Sequence, residues 1–203
     1  MSDKNKTIKK FDLNKKQTKQ IEIFLEELSI KNKLTNLVGK STILNSWDRH
    51  ICDSLQIISH IKDKNSKIID IGSGAGIPGV LLSIIGCTNV LMVDSARKKT
   101  DFIKNIISTL NISANVSNSR IENLITSPAK YIVSRALAPL HKLISYSLLL
   151  SNKDTSLLFL KGRNVNKEIY EAKKQYKFKF KIFKSITVGG GFVLKINDLK
   201  KND

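Results

Sequence analysis

At 203 residues and 41% hydrophobic composition, the chain can bury one mid-sized core with room for a small appendage. Its 35 basic against 17 acidic residues give a net charge of +18, which favours a polyanionic partner such as RNA or DNA, although an excess of Lys, Ile and Asn is also what coding bias produces. No apolar run approaches the ~18 residues of a membrane span, the first residues hold no secretory signal, and Cys52 and Cys87 form neither a CxxC nor a Cys/His cluster, which argues against a disulfide scaffold or structural zinc and for a cytoplasmic protein.

Residues 1–15 are rich in Lys and Asn and are expected to be mobile. "TKQIEIFLEELSI" then places Ile21, Phe24, Leu25 and Leu28 at the spacing of an amphipathic helix. "STILNSWDRHICDSLQIISHI" repeats it with Leu44, Trp47, Ile51, Leu55 and Ile58, and Ser41 or Thr42 suits its N-cap. Residues 1–60 therefore read as a small N-terminal helical region.

Beyond it the texture changes. "SKIIDI" reads as a buried strand, "GVLLSII" as a helix, "NVLMVD" as a second strand. "ARKKTDFIKNIISTL" is a helix with Phe102, Ile103, Ile106, Ile107 and Leu110 on one face. "SANVSN" and "KYIVSRA" are further strands, "HKLISYSLLL" a helix, "SLLFLKG" a fifth strand and "VNKEIYEAKKQ" a helix. "KFKFKIFKSITV" and "GFVLKI" alternate around Gly189–Gly191, which predicts an antiparallel hairpin. Helices alternating with strands predict a doubly wound α/β fold, a mostly parallel seven-stranded sheet closed by that hairpin.

The first strand runs into "IIDIGSGAGIPG", with four glycines between Gly72 and Gly79. A P-loop is discarded, because the only candidate tail, "GKST" at Gly39–Thr42, has Leu34 where the leading glycine belongs. A dinucleotide site remains open: Gly74, Gly76 and Gly79 satisfy G-x-G-x-x-G, and Asp94 follows Gly74 at the distance of a ribose-binding acid. So does S-adenosylmethionine, whose acid-x-Gly-x-Gly-x-Gly pattern is met by Asp70, Gly72, Gly74 and Gly76. Asp70 favours it, since a carboxylate at the strand tip would repel a pyrophosphate and tolerate a sulfonium.

Seven stretches, in order, carry a resemblance: "NLV", "WDRHICDSL", "IIDIGSGAGIPG", "LMVDSARKKTDFI", "SRIENL", "IVSRALAPL" and "LKGR", spanning residues 36–163. The chain resembles the glucose-inhibited division protein B family, the guanine-N7 methyltransferases of small-subunit ribosomal RNA. The resemblance implies a Rossmann-like class I methyltransferase fold, with 1–60 a helical extension and 61–203 the S-adenosylmethionine-binding domain. It further implies a monomeric cytoplasmic enzyme that methylates N7 of guanosine 527 in the 530 loop of 16S rRNA, alone or within the small subunit. Carried over by motif, cofactor contacts fall on Gly72, Gly74, Ile77, Ile121, Glu122 and Arg135, with Asp94 added from ribose chemistry. The chain departs from the family in "KNKLTNLV", which lacks a tryptophan-containing stretch, and in its Lys-rich tail.

The residues present agree with that chemistry. Neither cysteine lies in the Pro-Cys setting of a pyrimidine-C5 nucleophile, and Pro78, Pro128 and Pro139 are never adjacent, so the Pro-Pro element of amine methylation is missing. Guanine N7 carries a lone pair and no proton, needs no general base, and makes alignment the catalytic task. Arg49, His50, Lys161 and Arg163 are the candidate RNA contacts. Arg49 and Asp53, at i and i+4, could instead pair with each other, and His50 could be an interior histidine. "RKK" at Arg97–Lys99 puts positive charge at a helix start, against the helix dipole, which either a phosphate partner or plain solvation would relieve.

Overall fold

The structure, a computed structural model, describes residues 3–35, 37–39, 45–187 and 189–202. The expected N-cap at Ser41 or Thr42 and the apolar Leu44 lie outside them.

The first residues are ordered into a helix, α1 (Asp3–Phe11), and are not a mobile tail. The reason is burial: Thr7 is enclosed, and Ile8 and Phe11 pack against the core. The long helix α2 (Lys15–Thr35) starts three residues earlier than its apolar spacing predicts. Asn14 and Gln17 form a reciprocal capping box there. Gln17 N–H donates to Asn14 Oδ1 at 2.9 Å and Asn14 N–H to Gln17 Oε1 at 3.1 Å. Ile21, Phe24 and Leu28 are buried as the spacing requires.

The next helical stretch, α3, is not the uniform amphipathic helix its pattern suggests. It is a π-helical turn (Trp47–Cys52), an α turn (Asp53–Leu55) and a 3-10 turn (Gln56–His60) in succession. Ile51, Leu55 and Ile57 reach the core despite these changes of winding.

Seven strands form one sheet in the order β3-β2-β1-β4-β5-β7-β6. They are β1 (Ile68–Ile71), β2 (Val90–Asp94), β3 (Asn115–Asn118), β4 (Tyr131–Arg135), β5 (Ser156–Lys161), β6 (Tyr176–Lys184) and β7 (Phe192–Lys201). The first five are parallel; β7 runs antiparallel to β5 and β6 antiparallel to β7. Helices α4 (Gly79–Ile84), α5 (Arg97–Leu110), α6 (Leu140–Leu148) and α7 (Val165–Lys173) connect them.

Alternation of side chains divides the core in two. Ile68, Met92, Val133, Leu158 and Val193 face α4, α5 and the N-terminal helices. Ile69, Ile71, Val93, Ile132 and Phe159 face α6 and α7. Helices α1–α3 thus pack into the same apolar layer as α4 and α5. Because β1 is flanked by β2 on one side and β4 on the other, the connections leaving their carboxyl ends diverge there and open a crevice.

Candidate active site

The loop after β1 floors that crevice. Gly72, Gly74 and Gly76 have φ of +68, +57 and +86°, values a side chain would strain. Hydrogen bonds tie the loop to the end of β2. Gly72 and Ser73 N–H groups donate to Val93 O at 2.8 and 3.0 Å, and Ser73 Oγ accepts the Val93 N–H at 3.0 Å. The Asp94 carboxylate accepts from Gly74 N–H through Oδ2 and from Ala96 N–H through Oδ1, each at 2.9 Å.

Asp70 does something different from what its place in the pattern suggests. Strand alternation puts it on the core face beside Ile68, beneath the loop, with no exposed surface. Its Oδ2 accepts the Gly79 N–H at 2.9 Å, holding the first residue of α4, while Oδ1 has no donor among the described residues. Burial, only partly offset by those hydrogen bonds and reinforced by Asp94, pushes its pKa up to about 7. The carboxylate supports the loop and does not face a ligand, so it does not discriminate a sulfonium from a pyrophosphate by direct contact.

Above the loop lies a cavity of about 390 Å³, lined among others by Gly72, Gly74, Ile77, Asp94, Lys99 and Arg135. Five predicted cofactor residues thus meet in one place. The other two, Ile121 and Glu122, sit in a 3-10 turn (Ile121–Asn123) after β3, beside the end of β2, and do not line it. The far wall, which no sequence motif assigns to the site, is formed by Leu37–Gly39 before α3 and by Ala136 and Leu137 after β4. They fall in or beside "NLV" and "SRALAPL", two of the stretches that carry the family resemblance. Ala136 adopts a left-handed φ of +53°, uncommon for a residue with a side chain, and Leu137 then folds directly over Gly72. The misplaced charge of "RKK" is met from within the protein, because Arg97 faces Asp101 at 3.8 Å and Lys99 faces Asp94 at 3.9 Å.

Arg135 joins the loop face to α3. Its Nε faces Asp53 Oδ2 at 3.3 Å, Nη1 donates to His50 Nδ1 at 2.9 Å, and Nη2 donates to the Arg49 carbonyl at 2.8 Å. The π turn makes this possible. Asp53 N–H bonds back to Asp48 O, five residues earlier, and the Arg49 carbonyl is presented to the guanidinium. Asp53 therefore pairs across to β4 and not with Arg49 on its own helix. His50 is buried, and its pKa falls to about 4, because burial first, then the Arg135 and Arg49 charges, disfavour a second proton. It is a neutral acceptor at pH 7. Burial raises the Asp53 pKa, against the opposing pull of Arg135.

A second cavity, of about 250 Å³, lies on the other side of Arg135 and shares Arg135 and Ala136 with the first. Arg49, Asp53, Lys161 and the Gly190–Gly191 turn line it. Lys161 is largely committed inside the protein, donating to Ala138 O at 3.1 Å and pairing with Glu168 at 2.6 Å. Glu168 also accepts the Leu140 N–H at 2.7 Å, so this pair anchors the loop that carries Ala136 and Leu137. Arg163 is exposed and lines neither cavity.

The larger cavity fits S-adenosylmethionine. Its volume is within the ~300–1,000 Å³ of small-molecule sites. A Cβ on Gly74 would meet nothing nearer than 3.9 Å, so backbone is bared toward the open space. The Asp94 oxygens keep unused lone pairs for ribose hydroxyls, and Ile77 and Leu137 offer apolar surface. Among the described residues no group of His, Cys, Asp and Glu is arranged to hold a metal, and no helix is long and apolar enough to cross a membrane.

Strand order and glycine loop together define the Rossmann-like fold of class I methyltransferases, and solved structures share it. A TehB-like SAM-dependent methyltransferase from Corynebacterium glutamicum superposes with a TM-score of 0.59 at 16% identity, over 87% of this chain and 98% of that one. TYW2 of M. jannaschii in complex with AdoMet does so with a TM-score of 0.55 at 11% identity, over 74% and 77%. The family model GidB, rRNA small subunit methyltransferase G, matches residues 17–192. Curated relatives agree. Ribosomal RNA small subunit methyltransferase G of Rickettsia prowazekii is 40% identical over 90% of this chain and 94% of its own length. That of Orientia tsutsugamushi is 37% identical over 83% and 84%. The chain belongs to the GidB family of rRNA methyltransferases, and its methyl donor is S-adenosyl-L-methionine. The family assignment therefore sets aside the NAD-dependent enzyme that the G-x-G-x-x-G frame left open.

Proposed function

We propose that the enzyme methylates N7 of guanosine 527 in the 530 loop of 16S rRNA. The observation that carries this reading is the pair of cavities meeting at Arg135. One suits the cofactor; the other is small, polar and adjacent, as an entering purine requires. The cofactor, when bound, supplies an electrophilic methyl group. The protein's part is alignment. Loop Gly72–Gly76 and Asp94 fix one reactant, while Arg135, held at three points, fixes the wall between the two. Arg49 is exposed at the smaller cavity and is suited to guanine O6 or a flanking phosphate. Lys161 shapes the same cavity by holding the Ala136–Leu137 loop, and Arg163, just beyond, would meet RNA outside it. Ile121 and Glu122, in the turn after β3, would close the cofactor's outer edge.

Among the described residues, no group near Arg135 is set up as a general base. His50 spends Nδ1 on the guanidinium, and Asp53 is ion-paired to it. N7, which has no proton to lose, is the guanine atom that needs none. The same reading has a monomer acting in the cytoplasm on rRNA, free or in the small subunit. The test uses small-subunit RNA reconstituted with 7-deazaguanosine at position 527. This RNA binds but accepts no labelled methyl, whereas the guanosine control does. Equal labelling of both would move the reaction to another atom or another nucleotide.

A further inference from the structure

We propose that the uncovered face of the β6–β7 hairpin docks the backbone of the substrate RNA; this rests on the rRNA methyltransferase reading and extends it to a surface away from the two cavities. On β6, Lys177, Lys179, Lys181 and Phe183 share one face, opposite the one that carries Tyr176, Phe178 and Ile182 into the core. Their cross-strand partners on β7 are Lys200, Asn197, Lys195 and Val193. Helix α7 covers the other face of this hairpin, with Lys173 lying 4.8 Å from the Phe180 ring. On the lysine face, the end of α3 meets Phe183, whose ring lies 4.4 Å from that of His60, and His60 also feels the charge of Lys195.

Protection of an edge explains lysines on β6, the outermost strand. It does not explain Lys195 on β7, which is paired with β5 on one side and β6 on the other, whereas Lys200 lies beyond the β5 pairing, which ends at Ile196. There Lys195 stands directly opposite Lys181 and Lys200 directly opposite Lys177. Like charges in such positions destabilise a sheet. Among the described residues of this face the one acid is Asp198, which pairs with Lys179 at 2.9 Å. A surface that keeps two repelling lysine pairs is complementary to a polyanion. Side chains two residues apart repeat about every 6.8 Å along a strand, so the face presents a row of cations, not a single point. Phe183, 37% exposed at its upper end, offers a ring for a base to stack on. The row leads toward the chemistry. Ser185, two residues beyond Phe183, bonds Gln56 at 3.0 Å and Asp53 at 3.2 Å, and Asp53 pairs with Arg135.

The test measures binding of the full chain to a 16S rRNA fragment containing the 530 loop, and to undermodified small subunits, as a function of salt. Lys181→Gln with Lys195→Gln, and separately Lys177→Gln with Lys200→Gln, should each weaken RNA binding about tenfold. Each should also reduce the slope of log K against log salt by about 1.4–1.8, the share of two phosphate contacts. Lys181→Arg with Lys195→Arg should restore both. Undiminished calorimetric binding of S-adenosylhomocysteine and an unchanged or raised Tm would show the variants folded. Unchanged RNA affinity and salt slope would overturn the proposal. So would weakening seen only with small subunits and not with the RNA fragment, which would give the face to a ribosomal protein. A wild-type protein that sediments as a dimer and becomes a monomer on substitution would give it to a second copy and overturn the proposal equally. The readout is binding, so a wild-type enzyme that forms no 7-methylguanosine contradicts the guanine-N7 reading without touching this comparison.

Discussion

Arg135 concentrates the single-residue argument. Three of its N–H groups are spent on Asp53, His50 and the Arg49 carbonyl, so removing it separates α3 from β4 and opens the wall between the cavities. Arg135→Ala should lower kcat/KM by at least about tenfold, with most of the loss retained in Arg135→Lys, because an ammonium cannot hold three divergent directions. Steady-state kinetics with an rRNA substrate decides this, and an unchanged kcat/KM for the alanine variant would refute the assignment. Asp70 makes a pH prediction. Its folded pKa of about 7 lies above the ordinary carboxylate value, so the folded state holds a proton that the unfolded state has released. The resulting stability is fully present below about pH 4 and is lost as pH rises toward 7, a change of a few kcal/mol. Asp70→Asn keeps an acceptor for Gly79 N–H and loses the titration. The Tm of the variant relative to wild type should therefore climb between pH 5 and pH 8, and a pH-independent difference would contradict the buried-acid account. His50 titrates in the opposite sense. Its depressed pKa of about 4 costs stability as pH falls below about 6.5, so the comparison of wild type with variant is cleaner than either curve alone.

At the scale of elements, legibility followed periodicity. The parallel strands and α5 were readable because buried residues recur at periods of 2 and 3.6, and the Gly-rich loop because positive φ demands glycine at Gly72, Gly74 and Gly76. Helix α3 was only half readable. Its apolar spacing marked the buried face, but nothing in "WDRHIC" announces a π turn, which is stabilised by a guanidinium 86 residues away in sequence. Helix α1 was unreadable for a similar reason, since its polar sequence becomes helical by packing Ile8 and Phe11 on tertiary neighbours. The second half of β7 was missed because "NDLKK" does not alternate, and Asp198, at φ +53°, interrupts the strand in step with a register shift. The start of β7 yields a sharper test. A Cβ at Gly191 would collide with the Lys161 carbonyl and lie 3.0 Å from Gly162 Cα, all backbone that cannot turn aside. Gly191→Ala should cost on the order of 2–4 kcal/mol, while Gly162→Ala, with open space around it, should stay within about 0.5 kcal/mol. Denaturant melts of both variants measure this, and equal stability would mean that β5 and β7 approach less closely than described.

For the whole molecule, charge and topology divide the work. The sheet order fixes where ligands bind, at the divergence of β1 and β4, and this much follows from alternating elements alone. The site residues were legible where they sit in the glycine loop or at strand ends, as Gly72, Gly74, Ile77, Asp94 and Arg135 do. Lys161 was found in the right place with a different task, because its position after β5 is a matter of sequence and its partner Glu168 a matter of packing. Leu37–Gly39 and Leu137 lie in or next to recognisable stretches, but nothing local says that segments so far apart in sequence form one wall. The net charge of +18 fits an RNA-binding enzyme, and the opposed lysine pairs of the hairpin are where the proposed docking would put part of it to use. The most direct measurement of the central claim is methyl transfer itself. Purified enzyme, labelled S-adenosylmethionine and small subunits lacking the modification should yield one 7-methylguanosine, mapped by digestion and mass spectrometry to position 527. Label at another position, on another atom, or nowhere in the RNA would contradict the account.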